Sequence, residues 1–273
     1  MPETFLILLA GGVMLAAAVS DPRQVTLQWL RLAGILALCM AGLCVYFYAT
    51  RDEATDTPAF FRRVQVGLLI ATGAAILGQL AFAQVAMRRT QRLLAAAAFV
   101  LAVLAGSNLL HDAMLVREAA SGVKLDLPPK PATLAIQALA CAGVSAMVGL
   151  ALMDMLLGHA YLTASSMTQA PFARINLALA VALALRVLMN VGAVVLHNVR
   201  PPVGMLWGRY GLLMLTRWGV GLLVTAVFVY MAHDCIRRRS NQSATGILYV
   251  AGLLVFLGEL TALYLLRETG LPF

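Results

Sequence analysis

Residues 175–198 read INLALAVALALRVLMNVGAVVLHN, an almost wholly apolar run that carries one charge, Arg186, near its centre. A helix needs ~20 mostly apolar residues to cross the hydrocarbon core of a bilayer. A charge at that depth costs at least about 2.5–3.5 kcal/mol on insertion scales, and such residues usually face a bundle interior or a water-filled cavity. This stretch therefore predicts a membrane-spanning helix with a buried charge that has a partner or a function.

The same pattern recurs along most of the chain. Of its 273 residues, 62% are hydrophobic and 12% are charged, whereas soluble domains carry about 25% charged residues. Eight long apolar runs are candidate spans, at roughly 3–20, 26–48, 64–86, 91–116, 132–157, 172–198, 205–233 and 243–266. None alternates like a β-barrel strand, and only helices and closed barrels cross lipid. We predict an all-α polytopic membrane helix bundle of about eight transmembrane helices, forming a single integral membrane domain over residues 1–273.

The connectors leave no room for a soluble domain. The longest, around 49–63 and 117–131, have about fifteen residues each. The first run lacks a positively charged n-region, so we interpret it as a retained helix and not as a signal peptide. The four cysteines have no metal-binding spacing and are interpreted as small core residues: Cys39, Cys44, Cys141 and Cys235. Any chemistry is therefore expected in the bundle, at its rims or on a partner subunit.

The placement of charge bears on orientation more than the net charge, which is +8. The two sets of connectors and helix ends carry nine Lys and Arg residues each, so the positive-inside rule alone gives no orientation. The tight arginine turns at 88–92 and 237–239 favour a cytoplasmic location for their side, with both termini outside, in a bacterial-type inner membrane. These turns suit anionic lipid headgroups, and nothing in the sequence indicates nucleic-acid binding.

Three charges within the predicted spans form the first candidate site: Arg186, Arg217 and Glu259. They lie at similar depth on the last three spans, and Asn190 lies within about 40° of Arg186 around the same helix. We expect these side chains to converge in one buried polar site. One carboxylate beside two guanidiniums leaves a net positive pocket, which an anion, a carbonyl or a second acid could fill. The alternative is structural, with Glu259 bridging the arginines to hold helices together, although buried ion pairs are poor stabilisers.

The four histidines form the second candidate site, since they lie near helix ends on four consecutive spans. We expect His111 and His197 to face each other near one membrane surface, and His159 and His233 to do so near the other. Two such pairs are what a bundle with two b-type haems needs, because axial histidines ligate haem iron. Imidazoles lining a quinone pocket are a second interpretation, and interface histidines with solvated tips are a third.

These features favour an integral membrane subunit of a respiratory or photosynthetic electron-transfer assembly, which handles quinone or b-type haem alongside other membrane subunits. No short catalytic motif occurs in a suitable context to support an enzyme class. The first alternative is a small-solute or ion transporter. It is supported by the membrane charges and by a faint echo between Gly78-Gln79-Leu80 and Gly258-Glu259-Leu260, because inverted repeats are typical of transporters. The second alternative is a non-catalytic structural or assembly subunit.

Overall fold

Helices account for nearly all of the chain that the structure describes. The computed structural model describes residues 1–20, 24–51, 59–84, 87–122, 130–163, 168–196 and 203–273. Its helices are α1 (Pro2–Val19), α2 (Leu27–Ala49), α3 (Ala59–Gln84), α4 (Arg88–Ser121), α5 (Lys130–Thr163), α6 (Ala170–Leu196), α7 (Val203–Leu215), a π-helical segment (Thr216–Val224), α8 (Thr225–Arg237) and α9 (Asn241–Thr269). The described ranges contain no strand, and the predicted all-α fold is confirmed.

Eight helical stretches within the described ranges are long and apolar enough to cross a bilayer. α7, the π-helical segment and α8 follow one another without a break and supply the seventh of these spans, Trp207–Arg237. Each of the eight apolar runs predicted from the sequence coincides with one span. The chain is therefore a multi-pass membrane helix bundle.

Local sequence signals account for where several helices begin and end. Pro2 opens α1, where the missing N–H of proline costs nothing. Thr26 caps α2, because its hydroxyl accepts a hydrogen bond from the backbone N–H of Trp29. α4 and α9 both end at a glycine with positive φ, Gly122 at 65° and Gly270 at 75°. This left-handed backbone conformation is one that glycine adopts without steric cost, and it reverses the chain after a helix.

The core of the bundle is built around α1 and α5. α1 packs against α2, α4 and α5, whereas α5 packs against α1, α4, α6 and α9. Gly12 lies so close to α5 that a Cβ atom there would be 1.8 Å from the backbone oxygen of Ser145. The Ser145 hydroxyl donates a 2.6 Å hydrogen bond to the Leu8 backbone oxygen. Small residues allow such close backbone approach in membrane bundles, where packing and interhelical hydrogen bonds drive association.

Arginine side chains link helix ends at both ends of the bundle. At one end of the bundle, Arg51 after α2 contacts Asp112 of α4 at 2.6 Å and Glu3 of α1 at 3.4 Å. The other end carries the exposed arginines of the α3–α4 and α8–α9 turns, and we call it the arginine-turn end. There, Arg92 Nε donates to the Ala18 backbone oxygen at 3.1 Å.

The outward faces of several helices are apolar. α2, α3, α6 and α8 expose large aliphatic and aromatic side chains, including Ile70, Leu188 and Tyr230. In a water-soluble protein such faces would be extensive exposed apolar patches, whereas a bilayer covers them without cost. The structure therefore favours direct contact between these helices and lipid.

Candidate functional site

Arg186, Arg217 and Glu259 lie together in the interior of the bundle, and we call them the charged triad. Glu259 of α9 accepts a hydrogen bond from Arg186 Nη2 of α6 at 2.7 Å on one carboxylate oxygen. The other oxygen accepts one from Arg217 Nη1 of the π-helical segment at 2.8 Å. All three residues are at most 1% exposed to solvent. The expected convergence of the three charges is therefore what the structure shows.

Asn190 joins the two arginines on the side away from Glu259. Its amide nitrogen donates a 2.7 Å hydrogen bond to the Arg186 backbone oxygen, one turn earlier on α6. Its amide oxygen accepts a longer one, 3.4 Å, from Arg217 Nε. Asn190 is itself fully buried. The sequence predicted that Asn190 lies on the same helical face as Arg186, and its side chain adds a second link between α6 and Arg217 of the seventh span.

Glycines make room for the charged triad. A Cβ atom at Gly143 of α5 would lie 2.5 Å from Arg186 Cδ, so only glycine leaves space for this side chain. Gly221 and Gly258 face each other where the π-helical segment crosses α9, and a Cβ at Gly221 would lie 2.6 Å from the Gly258 Cα. π-Helical turns inside α-helices frequently occur at functional sites. Here the π-helical turns carry Arg217.

The charges and donors of the triad are not fully balanced. Two guanidiniums face one carboxylate. Arg186 Nη2 also donates to the Phe273 backbone oxygen at 3.2 Å. Arg186 Nη1 and Arg217 Nη2 are buried and have no hydrogen-bond partner among the described residues. The three side chains of the triad therefore carry two positive charges and one negative charge, and two of their N–H donor groups have no partner among the described residues.

Three of the four histidines lie in the described part of the chain. His197 lies outside the described residues, and so does its predicted pairing with His111. His111 of α4 is partly buried, and its Nδ1 atom has no partner among the described residues. His159 is exposed at the end of α5, whereas His233 of α8 is partly buried and bonded to Asn176. The described ranges contain no group of three or more His, Cys, Asp or Glu residues suited to a metal ion.

His233 instead ends a buried polar chain that sequence reasoning missed. Asn176 of α6 donates from its amide nitrogen to Asp154 Oδ2 of α5 at 2.9 Å. His233 Nδ1 lies 3.2 Å from the Asn176 amide oxygen. Asp154 and Asn176 are completely buried. We call Asp154, Asn176 and His233 the polar chain.

The direction of these hydrogen bonds follows from the donors available. The structure places the Asn176 amide nitrogen towards Asp154 and the amide oxygen towards His233. The amide oxygen can only accept, and His233 Nδ1 must therefore carry a proton. In the neutral imidazole this leaves Nε2 as an acceptor. Asp154 Oδ1 has no partner among the described residues.

A groove between α6 and α8 runs along the bundle surface up to His233. Its volume is about 560 Å³, within the ~300–1,000 Å³ typical of ligand sites. It is lined by Leu177, Ala180, Leu183, Ala184, Val187, Leu188, Ala226, Val229, Tyr230 and His233. The walls are apolar apart from the tips of His233 and Tyr230. The groove therefore has apolar walls and one imidazole, which lies close to the arginine-turn end.

The sequence contains one signal for the polar chain. Asp154 is a carboxylate inside an apolar run, and such residues usually face the bundle interior. His159 on the same helix is about 140° away and is not its partner. Its partners lie on α6 and α8, and no spacing within one helix reveals them.

Comparisons with protein-family models, with curated proteins and with solved structures find no match for this chain. Functional inference therefore rests on the charged triad, the polar chain and the groove.

Proposed function

We propose that this chain is an integral subunit of an electron-transfer assembly in a bacterial-type inner membrane, and that it binds quinone in the groove between α6 and α8. One observation carries the proposal: a hydrogen-bond chain runs from the buried Asp154 through the buried Asn176 to the partly buried His233, and it ends at an apolar groove on the bundle surface. A lipid acyl chain would use the apolar walls of the groove but not the imidazole at its end. A quinone would use both, because it has an apolar tail and a ring that carries two oxygen atoms.

The polar chain can exchange protons with a ring oxygen. Conversion between quinone and quinol moves two electrons and two protons, and the electrons pass to or from a redox centre on a partner subunit. His233 Nε2 accepts the proton of one quinol hydroxyl, or, when protonated, donates to a quinone oxygen. Asn176 holds the imidazole in the tautomer that leaves Nε2 available. The Asp154 carboxyl group accepts a hydrogen bond from the Asn176 amide nitrogen, and this bond fixes the amide oxygen in its position beside His233.

Haem receives less support from the described residues. A bis-histidine haem needs two imidazoles that point into one slot between helices. The groove next to His233 is not lined by His159, whose side chain is exposed on α5. We therefore propose the quinone version of the electron-transfer function, and we expect a reduced-minus-oxidised spectrum of the purified protein without a haem band.

Quinone binding tests the proposal directly. The purified protein in lipid nanodiscs is titrated with a short-chain benzoquinone, and binding is followed by tryptophan quenching or calorimetry. We expect His233→Leu to weaken binding about 5- to 160-fold, since a lost buried hydrogen bond costs about 1–3 kcal/mol. His159→Leu is the matched control, because that histidine lies outside the groove, and it should bind like the unchanged protein. Equal binding by both variants, or none by the unchanged protein, would contradict the proposal.

A small-solute or ion transporter is the second candidate, and the charged triad favours it. Paired charges in the middle of a bundle commonly mark substrate or ion pathways. Reconstitution into liposomes, followed by uptake of labelled ions and small solutes, tests this function. We would then compare uptake by two variants. If Glu259→Gln abolishes uptake and His233→Leu does not affect it, transport is the better-supported function. A protein that neither binds quinone nor transports would be assigned the structural or assembly role.

A further inference from the structure

We propose that the chain carries a second site, which binds quinol in a groove between α2 and α3, at the opposite end of the bundle from His233. The identity of the ligand rests on the proposed quinone function, and the site extends that function to a second molecule. Two features support it: an internal repeat of the fold, and a polar group that lies at one end of each of two grooves.

The spans form two four-helix units that pack in the same order. In the first unit, consecutive helices from α1 to α4 contact one another, and α4 closes the ring against α1. The second unit repeats this order with α5, α6, α8 and α9, and α9 closes the ring against α5. The pair α2 and α3 in the first unit therefore corresponds to the pair α6 and α8 in the second.

The two units meet where their first helices cross. Leu8 of α1 is hydrogen-bonded to Ser145 of α5. One turn further along both helices, a Cβ atom at Gly149 would lie 1.9 Å from the Gly12 carbonyl carbon. Both contacts advance in the same sense, so α1 and α5 run in the same direction and the repeat is tandem. The sequence echo between α3 and α9 joins the third helix of one unit to the fourth of the other, so it does not reflect this repeat.

Each unit has a groove between its second and third spans. The groove at His233 is the α6–α8 groove, and its counterpart is the α2–α3 groove, with a volume of about 370 Å³. Gly42 and Gly73 line the α2–α3 groove, and a Cβ atom at either would meet nothing within 4 Å. The α2 wall runs from Leu38 to Tyr48. At ~1.5 Å per residue it is about 15 Å long, which is half of the ~30 Å hydrocarbon core.

Tyr48 supplies the polar end of the α2–α3 groove. Its hydroxyl donates a 3.0 Å hydrogen bond to Gln65 Oε1 of α3, and Gln65 is buried. The guanidinium carbon of Arg51 lies 5.3 Å from the centre of the Tyr48 ring. Arg51 is itself held by Asp112 at 2.6 Å. The ring is therefore fixed at its face and at its tip before a ligand binds, which lowers the entropic cost of binding.

The two grooves present the same combination of groups at opposite ends of the bundle. In each, an aromatic ring with an ionisable tip lies beside apolar walls and is bonded to a buried amide on the facing helix: Tyr48 with Gln65, and His233 with Asn176. Tyr48 lies next to Arg51, at the end opposite the arginine-turn end. One ligand in each groove would therefore occupy opposite leaflets of the bilayer.

The hydrogen bond of Tyr48 defines the ligand. A phenol has one O–H donor and two acceptor lone pairs. The structure directs the donor to Gln65, which leaves the oxygen of Tyr48 as an acceptor for a ligand hydroxyl. A quinol has such hydroxyls and an apolar tail that fits the walls, whereas the ring oxygens of a quinone only accept. The α2–α3 groove therefore favours the reduced form.

Binding stoichiometry tests the proposal. The purified protein in nanodiscs is titrated with a decyl-substituted hydroquinone, and uptake by empty nanodiscs is subtracted. We expect two molecules per chain for the unchanged protein and one for His233→Leu. Gly42→Leu fills the α2–α3 groove and should also leave one, and the double variant should bind none. Gly246→Leu is the matched control, because this exposed glycine of α9 has open space around it and lies outside both grooves, and it should bind two.

Failure of the second site and failure of the proposed function give different results. If His233→Leu alone abolishes binding and Gly42→Leu has no effect, the second site is overturned and the α6–α8 site stands. If Gly42→Leu alone abolishes binding and His233→Leu has no effect, the second site stands and the α6–α8 site falls. Absence of binding by the unchanged protein overturns both.

A smaller change tests the role of the phenol. In the His233→Leu background, Tyr48→Phe removes one hydroxyl and keeps the ring, and we expect it to weaken hydroquinone binding about 2- to 13-fold, the equivalent of one neutral hydrogen bond. Tyr46→Phe, on the exposed face of α2 and outside the groove, should have no effect. Unchanged affinity in Tyr48→Phe would show an occupant held by the apolar walls alone, such as a lipid acyl chain, and would overturn the proposal. Equal or tighter binding of the corresponding benzoquinone in the same background would overturn it as well.

Discussion

Replacing Glu259 by glutamine should be among the most destabilising single changes in the bundle. Glutamine has nearly the same volume, so the change removes charge and leaves packing intact. Glu259 accepts two hydrogen bonds from Arg186, at 2.7 and 3.3 Å, and one from Arg217 at 2.8 Å. Removing one partner of a buried ion pair costs about 3–5 kcal/mol, because the remaining charge stays buried. Here two guanidiniums lose their common partner, so we expect the upper end of that range.

The assay is equilibrium unfolding by SDS titration in bicelles, followed by tryptophan fluorescence. Asp234→Asn is the control, because it removes an ion pair of the i, i+4 type whose partners, Arg238 and Asp234, are exposed on α8 and its end. Such a pair is worth about 0.3–0.5 kcal/mol. If Glu259→Gln lies within about 1 kcal/mol of this control, the triad is not a desolvated charge cluster and the reasoning fails.

Three further predictions concern packing and orientation. Gly12→Ala should lower the free energy of unfolding by about 1–3 kcal/mol or more, because the added Cβ atom meets the α5 backbone. Gly42 has open space around it, so Gly42→Ala should be nearly neutral in the same unfolding assay. Ser145→Ala should cost only about 0.6 kcal/mol, the mean for hydrogen bonds between membrane helices, and a loss as large as that of Gly12→Ala would contradict this ranking. With the native cysteines removed, a cysteine at Gln242 should react with an impermeant maleimide only after the cell membrane is opened, and labelling in intact cells would reverse the predicted orientation.

The number and positions of the spans were predictable from the sequence because hydrophobic length is a one-dimensional signal. The turn between α8 and α9 follows from Arg237–Arg239, and the predicted start of the last span near residue 243 lies two residues after the observed start of α9 at Asn241. The π-helical segment was not predictable. A π-helical turn differs from an α-helical turn in its backbone hydrogen bonds and not in its composition. The apolar composition of the seventh span therefore gives no sign of it.

The two buried clusters show where sequence reasoning succeeds and where it stops. Arg186, Arg217 and Glu259 were found because each is a costly charge within a long apolar run. The distances among these three side chains depend on how their helices pack against one another. The position of the Phe273 oxygen beside Arg186 depends on how the chain turns back at Gly270. Asn176 carries no charge and gave no signal, although its amide joins α5 to α8.

The contact between α1 and α5 has a consequence for how the protein is made. Leu8 and Ser145, joined by a hydrogen bond, are 137 positions apart in the chain. At a synthesis rate of about 5–20 residues per second, Ser145 leaves the ribosome roughly 7–27 s after Leu8. During that interval, the glycine face of α1 lacks α5, and lipid or an insertion chaperone must cover it. Completion of the core is therefore a stepwise, post-insertion event, in which α1 waits for α5 and α5 in turn waits for α9.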